Sequence, residues 1–199
     1  MNFLINIILD LLFPRRCPVC GQIVMPKGSL ICPGCVKKLS WVRGPVCKCC
    51  GKEIISGTME YCPDCAAHPR SFSHGMALFN YNEISAPSLA MVKYHGRREY
   101  LDFYAEAAYR RYAKTIARLS PDLIIPVPVH KSRLKKRGFN QAEEFGKRLS
   151  GYLGIPMSSE YLIRSKKTAP QKDLGPALRL KNLEQAFFCK KLPSGMKKV

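Results

Sequence analysis

Eight of the ten cysteines in this chain of 199 residues form four pairs, each with two residues between the cysteines. A Cys-x-x-Cys turn directs both sulfurs at one metal ion, and two such turns complete a tetrahedral site of four thiolates. A site of this kind has no open coordination position, so its role is structural and not catalytic. The pattern predicts two zinc ions, held by Cys17, Cys20, Cys32, Cys35, Cys47, Cys50, Cys62 and Cys65.

The spacing of the pairs bears on which cysteines share an ion. Successive pairs begin 15 residues apart, and a finer repeat at twice that step matches Cys17–Gly21 with Cys47–Gly51 and Cys32–Cys35 with Cys62–Cys65. The finer repeat favours two sequential zinc ribbons, whereas the even step also allows a cross-braced arrangement. Iron–sulfur clusters are the other metal chemistry that paired cysteines support. Two cysteines stay outside the pattern and are interpreted as ordinary thiols: Cys49 and Cys189.

The amino-terminal segment 1–16 is apolar except for a stripe of Asn2, Asn6 and Asp10 on one helical face. Its apolar run is shorter than the roughly 20 residues of a membrane span, and it lacks the basic start and small-residue cleavage site of an export signal. We interpret the segment as an amphipathic helix that docks on the body of the protein, with a membrane surface or a partner as the alternative. The chain is therefore expected in the reducing cytoplasm, where paired cysteines usually hold metal.

The chain is strongly basic, with 33 Lys and Arg against 14 Asp and Glu and a formal net charge of +19. Two zinc sites of four thiolates each would lower this charge to about +15, because metal-bound cysteine is deprotonated. Residues 131–199 carry 17 of the cations and 5 of the acids. Such an excess predicts a polyanionic partner, and the candidates are nucleic acid, a phosphorylated metabolite and an acidic membrane surface.

After the cysteine pairs, strands and helices alternate in the hydrophobic pattern, which is typical of an α/β domain with a mostly parallel sheet. Helices are predicted over 85–94 and 99–119, and a further helix begins at the cap Asn140 and ends at Gly154. These helices would cover the sheet and position the loops between the elements.

Two polar segments of the second half are candidates for ligand binding. The apolar segment 122–129 predicts a buried strand, and the polar loop 130–139 follows its carboxyl end, where α/β folds bind ligands. The cations at 135–137 are therefore interpreted as a functional basic patch. Farther on, 164–182 mixes basic and polar residues with Pro and Gly, which predicts a mobile loop. That loop is either a solvated surface or a phosphate-binding element.

The most specific segment is Arg137–Ala142, Arg-Gly-Phe-Asn-Gln-Ala, which follows Pro-Val-Pro-Val at Pro126–Val129. Together with Leu11–Gly21, the cysteine pairs, Lys93–Arg97 and the loop 164–182, it resembles the ComF family. Members of this family are bacterial competence-associated proteins in which a zinc ribbon is fused to a type I phosphoribosyltransferase domain. The resemblance covers essentially the whole chain. It implies a Rossmann-like parallel sheet in residues 72–199, after the docking helix at 1–16 and the double zinc ribbon at 17–68.

The resemblance also implies a function. The family handles incoming single-stranded DNA during transformation, and contact with the uptake machinery would bring a cytoplasmic protein to the membrane. It binds phosphoribosyl pyrophosphate (PRPP) with magnesium, through a pyrophosphate loop and a flexible loop that closes over the site. By position, the implied phosphate-binding residues are His130, Lys131, Arg133, Arg164, Gln171, Arg179 and Asn182, and the nucleic-acid-binding residues are Arg97, Lys135, Lys136 and Arg137.

One motif of type I phosphoribosyltransferases is missing from the chain. These enzymes carry a hydrophobic strand followed by an acidic pair and a Thr-Thr-Gly loop, which hold the ribose hydroxyls and the 5′-phosphate. In the order of the family this motif would come directly after Val199. The domain 72–199 is therefore expected to be incomplete at its carboxyl end, and the chain is not expected to be catalytic. The alternative is a non-catalytic zinc-ribbon protein that binds nucleic acid or acts as an adaptor.

Overall fold

The computed structural model describes residues 12–68, 70–168, 175–183 and 186–199, the side chains at 176, 177, 179 and 180 excepted. The chain divides into two compact units, Met1–Phe103 and Tyr104–Val199. The first unit contains all the paired cysteines and extends well beyond the last of them. The domain boundaries at 16, 68 and 72 stay a prediction, and most of the expected docking helix lies outside the described residues.

Each half of the cysteine-rich region ends in a short helix that begins at a proline. Helix α1 spans Pro33–Lys38 and helix α2 spans Pro63–Ala67. Proline suits the first helical position because the N–H that it lacks would have no partner there. The residue before each proline, Cys32 or Cys62, has an extended backbone. The second cysteine pair of each half and the start of its helix are thus one local structure, formed twice.

The segment between the two halves pairs with a segment beyond the last paired cysteine. Trp41 and Phe79 form an antiparallel bridge, and the N–H of Asn80 donates to the carbonyl of Ser40 at 2.8 Å. The centroid of the Trp41 ring lies 4.5 Å from that of Phe79 and 6.5 Å from that of Phe103. These aromatic contacts make Trp41 a packing residue of the first unit.

The next two helices confirm the sequence prediction. Helix α3 spans Ser85–His95 and helix α4 spans Tyr100–Leu119. The turn before α3 is held by Asn82, whose Oδ1 accepts from the N–H groups of Ile84 at 3.1 Å and Ser85 at 3.0 Å. Gly96, with a left-handed φ of 69°, ends the helix.

In the second unit, the strand predicted at 122–129 is reduced to a single bridge. Ile124 pairs in parallel with Met157, and the N–H of Ile124 donates to the carbonyl of Pro156 at 2.8 Å. Pro126 and Pro128 follow, and proline has no N–H to donate to a ladder. The parallel pairing therefore stops where the prolines begin.

The regular ladder of the second unit is antiparallel. Strand β1, Leu162–Arg164, pairs with strand β2, Phe187–Cys189, and Ile163 lies opposite Phe188. Within the described residues this is a sheet of two strands. The unit is a mixed helix and strand structure, and the mostly parallel sheet that the sequence predicts is not confirmed in the part of the chain that is described.

Helices also form where the sequence predicts loops. Helix α5, Lys131–Arg137, occupies most of the predicted loop 130–139. Helix α6, Gln141–Leu153, begins at the cap Asn140 as predicted. The predicted mobile loop 164–182 begins in β1 and ends in helix α7, Pro176–Leu183, so the loop prediction is wrong for both of its ends. No helix among the described residues combines the length and the apolar character that a bilayer crossing requires.

Candidate metal centres and anion-binding surface

The paired cysteines come together in two separate groups. Within each group the four Sγ atoms lie within 4.8 Å of one another, close enough to coordinate one ion. Each group is built from two consecutive pairs, so the arrangement is sequential and the cross-braced alternative is not the one that the chain adopts. The groups are Cys17, Cys20, Cys32 and Cys35 in the first ribbon (15–38), and Cys47, Cys50, Cys62 and Cys65 in the second ribbon (45–67).

The same backbone hydrogen bonds hold both groups, one period of the sequence repeat apart. The N–H of Cys17 donates to the carbonyl of Gln22 at 2.8 Å, and the N–H of Cys47 donates to that of Lys52 at 2.8 Å. The repeat in the sequence is therefore a repeat in the structure. Further matched bonds, all at 2.9 Å, run from Gly21 N to Cys17 O and from Gly51 N to Cys47 O, and from Val24 N to Arg15 O and from Ile54 N to Pro45 O.

The first cysteine of each ribbon is stabilised as a thiolate. Burial by itself would raise the pKa of Cys17, but three backbone N–H groups that point at its sulfur outweigh burial and lower the pKa to about 7. The same balance lowers the pKa of Cys47 to about 6. The donors are the N–H groups of Cys20, Cys32 and Val19 in the first ribbon, and of Cys50, Cys62 and Cys49 in the second.

The last cysteine of each ribbon behaves in the opposite way. Burial, followed by the neighbouring sulfurs of Cys20 and Cys17, raises the pKa of Cys35 to about 12, and burial likewise raises the pKa of Cys65. Four thiolates so close together repel one another, and they are all charged only when a dication lies among them. A closed set of four soft sulfur ligands fits zinc, and the two groups support two structural zinc ions.

The two ribbons differ in what surrounds the turn between their first two cysteines. Gly21 and Gly51 both have left-handed backbone, with φ of 71° and 70°. Among the described residues, no atom lies within 4 Å of the position that a Cβ on Gly21 would take. A Cβ on Gly51 would overlap the backbone of Gly75, whose N–H donates to the carbonyl of Cys49 at 2.6 Å. The second turn is therefore packed against a later segment.

Gly51→Ala is expected to destabilise the first unit much more than Gly21→Ala. Both variants add a Cβ to left-handed backbone, which costs about 1–2 kcal/mol. The Cβ at position 51 also meets the backbone of Gly75, and this overpacking adds about 1–3 kcal/mol. Thermal denaturation of the two zinc-loaded variants measures the difference, and equal losses of stability would contradict the close approach of Gly75.

Helix α5 is almost entirely cationic. His130 caps it, because the N–H of Ser132 donates to Nδ1 of the imidazole at 3.2 Å, and Gly138 ends it with a φ of 81°. Like charges four residues apart repel on a helix, so the charges of α5 oppose its formation. The caps at its two ends, His130 and Gly138, nevertheless stabilise the helix. The cations of the helix are Lys131, Arg133, Lys135, Lys136 and Arg137.

Arg164, at the end of β1, is a partly buried cation. Its Cζ lies 5.3 Å from the centroid of the Phe187 ring, and its Nη2 donates to Oγ1 of Thr168. The Nε–H is buried and, in the part of the chain that is described, has no acceptor. Burial, followed by the nearby charge of Arg133, lowers the pKa of Arg164. Two predicted phosphate ligands from distant parts of the sequence therefore influence each other through their charges.

The other predicted binding residues lie in both units. Arg97 follows α3 in the first unit, and its Nη1 lies 3.5 Å from Oε1 of Glu99. In the second unit, Arg137 donates to Oε1 of Gln141, and Asn182 is half-buried in α7. Their predicted roles stay predictions. Outside the described part lie Gln171 and the side chain of Arg179.

The sequence analysis did not identify two residues that contact the guanidinium of Arg164. Phe187 lies directly opposite Arg164 in the register of β1 and β2, which places the ring under the guanidinium. Thr168 supplies the acceptor for Nη2. Neither residue belongs to a motif, and only the pairing of the two strands reveals the contact with Phe187.

Comparison with known proteins agrees with the geometry of the cysteines. Residues 8–66 match the family model of the double zinc ribbon domain. The match covers both groups of four cysteines and favours zinc over an iron–sulfur cluster. The amino-terminal part of the chain is therefore a double zinc ribbon.

The similarity to whole proteins extends over most of the chain. Competence protein F of Haemophilus influenzae is 31% identical over 179 residues, which cover 88% of this chain and 76% of that protein. Competence protein ComFC of Bacillus subtilis is 24% identical, with 83% and 71% covered, and DNA utilization protein YhgH of Escherichia coli is 26% identical, with 87% and 77% covered. The chain belongs to the ComF family of competence proteins. No solved structure gives a significant match.

Proposed function

We propose that this chain acts in the uptake or use of external DNA, and that its second unit binds single-stranded DNA and PRPP. The names of its relatives support the biological role: two are competence proteins and a third is a DNA utilization protein. On this proposal residues 72–199 form the phosphoribosyltransferase-like domain, and the protein works in the cytoplasm at the uptake machinery. The proposal concerns binding and includes no transfer step.

The observation that carries the binding proposal is the partly buried Arg164, which also feels the charge of Arg133. Neither guanidinium forms an ion pair with a carboxylate within the described residues, and Arg164 also keeps a buried Nε–H without an acceptor. Like charges held together raise the free energy of the fold, and an anion between them lowers it. Guanidinium groups bind phosphate oxygens in pairs, which suits a pyrophosphate group.

The cations of α5 extend this surface. Five of the seven residues of the helix are basic, and none is acidic. A nucleic-acid backbone carries one negative charge per nucleotide, so a dense cationic helix supports binding that depends on charge and not on sequence. The same surface therefore suits both proposed ligands.

In this proposal the zinc ribbons have a structural role and do not bind substrate. Their eight paired cysteines would hold two zinc ions as closed sites, with no position left for a substrate. Zinc would stabilise two small ribbons whose apolar cores are too small to fold without it.

Binding of PRPP is tested by thermal denaturation of the full chain with PRPP and magnesium. A ligand at 100 times its Kd adds about 2.7 kcal/mol of stability. We expect this protection in the wild type and its loss in the double variant Lys131→Glu/Arg133→Glu. The matched control reverses two exposed lysines of α1, Lys37→Glu/Lys38→Glu, and should keep the protection. Equal protection of both variants would refute the assignment to α5.

Binding of DNA is tested with a labelled single-stranded oligonucleotide in fluorescence anisotropy. The logarithm of the association constant is expected to fall with the logarithm of salt, with a slope of about −0.7 per phosphate contacted. The α5 variant should bind more weakly and with a shallower slope than the wild type and the α1 control. Loss of binding in the α1 variant alone would instead assign DNA to the ribbons, which is the alternative function.

A further inference from the structure

The first ribbon begins with an antiparallel pairing whose two faces have different surroundings. Arg16 lies opposite Ile23, and the N–H of Val24 donates to the carbonyl of Arg15 at 2.9 Å. Side chains alternate between the two faces of such a pairing. Arg15 and Val24 therefore share one face, which we call the inner face. Arg16 and Ile23 share the opposite, outer face.

The inner face is fixed to the body of the first unit. Val24 is 4% exposed. The guanidinium of Arg15 pairs with the carboxylate of Asp102 at 2.8 Å and donates to the carbonyl of Glu99 at 3.1 Å. These contacts anchor the pairing at the start of α4 and leave the outer face directed away from that helix.

Apolar side chains cover the outer face and the segment that leads into it. Ile23 is 48% exposed, and Met25, the next residue on the same face, is 59% exposed. Leu12 and Phe13, shortly before the pairing, are 65% and 75% exposed. Single exposed apolar side chains are ordinary on a protein surface, whereas a group of them marks an interaction site. We call these four residues the apolar patch.

The sequence repeat gives each residue of the apolar patch a counterpart in or just before the second ribbon. Two of the counterparts are charged, and Val42 is buried, so that Ile55 alone is both apolar and exposed. The carboxylate of Glu53 accepts a hydrogen bond from the side chain of Asn80. A ribbon therefore forms without an apolar patch. The counterparts of Leu12, Phe13, Ile23 and Met25 are Val42, Arg43, Glu53 and Ile55.

The charge of the first ribbon indicates which partner the apolar patch fits. Residues 15–38 contain five cations and no acid, whereas residues 45–67 contain two cations and three acids. With four zinc-bound thiolates in each, the first ribbon keeps a charge of about +3 and the second about −3. Arg16 is exposed on the outer face, directly opposite Ile23 in the pairing.

Apolar side chains beside cations suit the surface of an anionic bilayer. The apolar groups enter the boundary between headgroups and acyl chains, while the cations stay at the level of the lipid phosphates. Protein–protein interfaces are instead depleted of lysine. The first ribbon has three exposed lysines, which are Lys27, Lys37 and Lys38.

We propose that the outer face of the first ribbon binds the surface of an anionic membrane. Phe13, Ile23 and Met25 insert among the lipid headgroups, and Arg16 binds their phosphates. The binding is peripheral, and it would bring the protein to the membrane without a partner. It goes beyond the proposed binding of PRPP and DNA, which concerns the second unit.

Flotation of the zinc-loaded full chain with lipid vesicles tests the proposal, in the absence of DNA and PRPP. We expect the wild type to bind mixed phosphatidylcholine–phosphatidylglycerol vesicles and to bind phosphatidylcholine vesicles much more weakly. Phe13→Ser/Met25→Ser leaves every charge in place. It should lower the partition coefficient at least about tenfold, because burial of two large apolar side chains is worth more than one factor of ten in affinity.

The matched control changes two exposed apolar residues of the second ribbon, Val46→Ser/Ile55→Ser, and should bind as the wild type does. The zinc content of each variant shows whether both ribbons are folded. Attraction by the overall positive charge alone would act equally on all three proteins. Equal binding of the wild type and Phe13→Ser/Met25→Ser would therefore overturn the proposal.

A second readout reports insertion directly. The variant Phe13→Trp places an indole in the apolar patch, and its emission is taken as the difference from the wild type, whose single tryptophan is Trp41. The emission should shift to shorter wavelength on anionic vesicles, because the indole leaves water. An unshifted emission, or a wild type that stays unbound, would overturn the proposal in favour of a protein partner.

Discussion

Exchange of Cys17 for serine is expected to release one zinc ion and to unfold the first ribbon, while the second ribbon keeps its metal. The Cys17 side chain is 0% exposed, and its sulfur receives three backbone N–H donors. A serine oxygen is a poor zinc ligand and leaves those donors with a weaker acceptor. Structural zinc contributes about 10–16 kcal/mol in zinc-finger peptides, which exceeds what a small apolar core supplies.

The size of the expected effect follows from the composition of the first ribbon. Its buried apolar residues include Val24 and Ile31, and the other buried members are the ligands Cys17 and Cys35. Two of these four buried residues are therefore ligands that the metal holds in place. Without the ion the sulfurs repel or repack, and the remaining apolar contacts are too few to order the backbone.

Zinc per chain and amide hydrogen exchange test this expectation. The amides of Cys17 and Val24 should lose protection, whereas the matched amides of Cys47 and Ile54 should keep it. Cys189→Ser, at an exposed cysteine outside both groups, is the control and should retain both ions. Loss of protection in both ribbons would contradict the sequential grouping, because a closed group in one ribbon has no ligand in the other.

Exchange of Arg164 for methionine is expected to weaken PRPP binding and to raise the stability of the free protein. The variant keeps an unbranched apolar stem beside Phe187 and removes a charge that lies close to Arg133. It also removes the buried Nε–H, which has no acceptor among the described residues, and an unsatisfied buried donor costs about 1–3 kcal/mol. The lost cation–π contact offsets about 0.5–1 kcal/mol of this gain. The free energy of unfolding should therefore rise by about 1 kcal/mol.

The Arg164 prediction is specific because binding of PRPP should weaken while the stability of the free protein rises. Hydrogen bonds to charged groups contribute about 1.5–3 kcal/mol, so the affinity for PRPP should fall by about 10–100-fold. Calorimetric titration and urea denaturation of the same preparation measure both quantities. Arg148→Met is the control, because Arg148 pairs with Glu144 at 3.2 Å. It should lose about 0.3–0.5 kcal/mol and bind normally. A destabilised Arg164→Met chain with unchanged affinity would show that Arg164 is a structural residue.

Where local sequence carries the signal, the structure agrees with it. Helices α4 and α6 begin and end within a residue or so of their predicted limits, because their caps and apolar spacing are written in neighbouring residues. The same holds for the cysteine pairs, whose sulfurs are aimed by turns of a few residues. The longer of the two cysteine repeats also favours the sequential grouping that the structure adopts.

The errors lie where local signals conflict. The polar residues after the expected strand predict a loop at 130–139, although Gly138 is a stop signal that could have revealed helix α5. The apolar residues of 122–129 predict a strand, although the two prolines in this segment stop the ladder after one bridge. In both cases the sequence contains the competing signal, a stop glycine or a pair of prolines, and the prediction gave that signal too little weight.

The two zinc ribbons, the long helices and the excess of positive charge can be read from the sequence alone, since each depends on residue types at short range. The tertiary structure adds that Arg164 lies opposite Phe187 and feels the charge of Arg133, and that the turn at Gly51 packs against Gly75. These contacts join residues that are separated along the chain by loops and turns. Their approach depends on strand register and on packing against later segments, and no short pattern in the sequence encodes it.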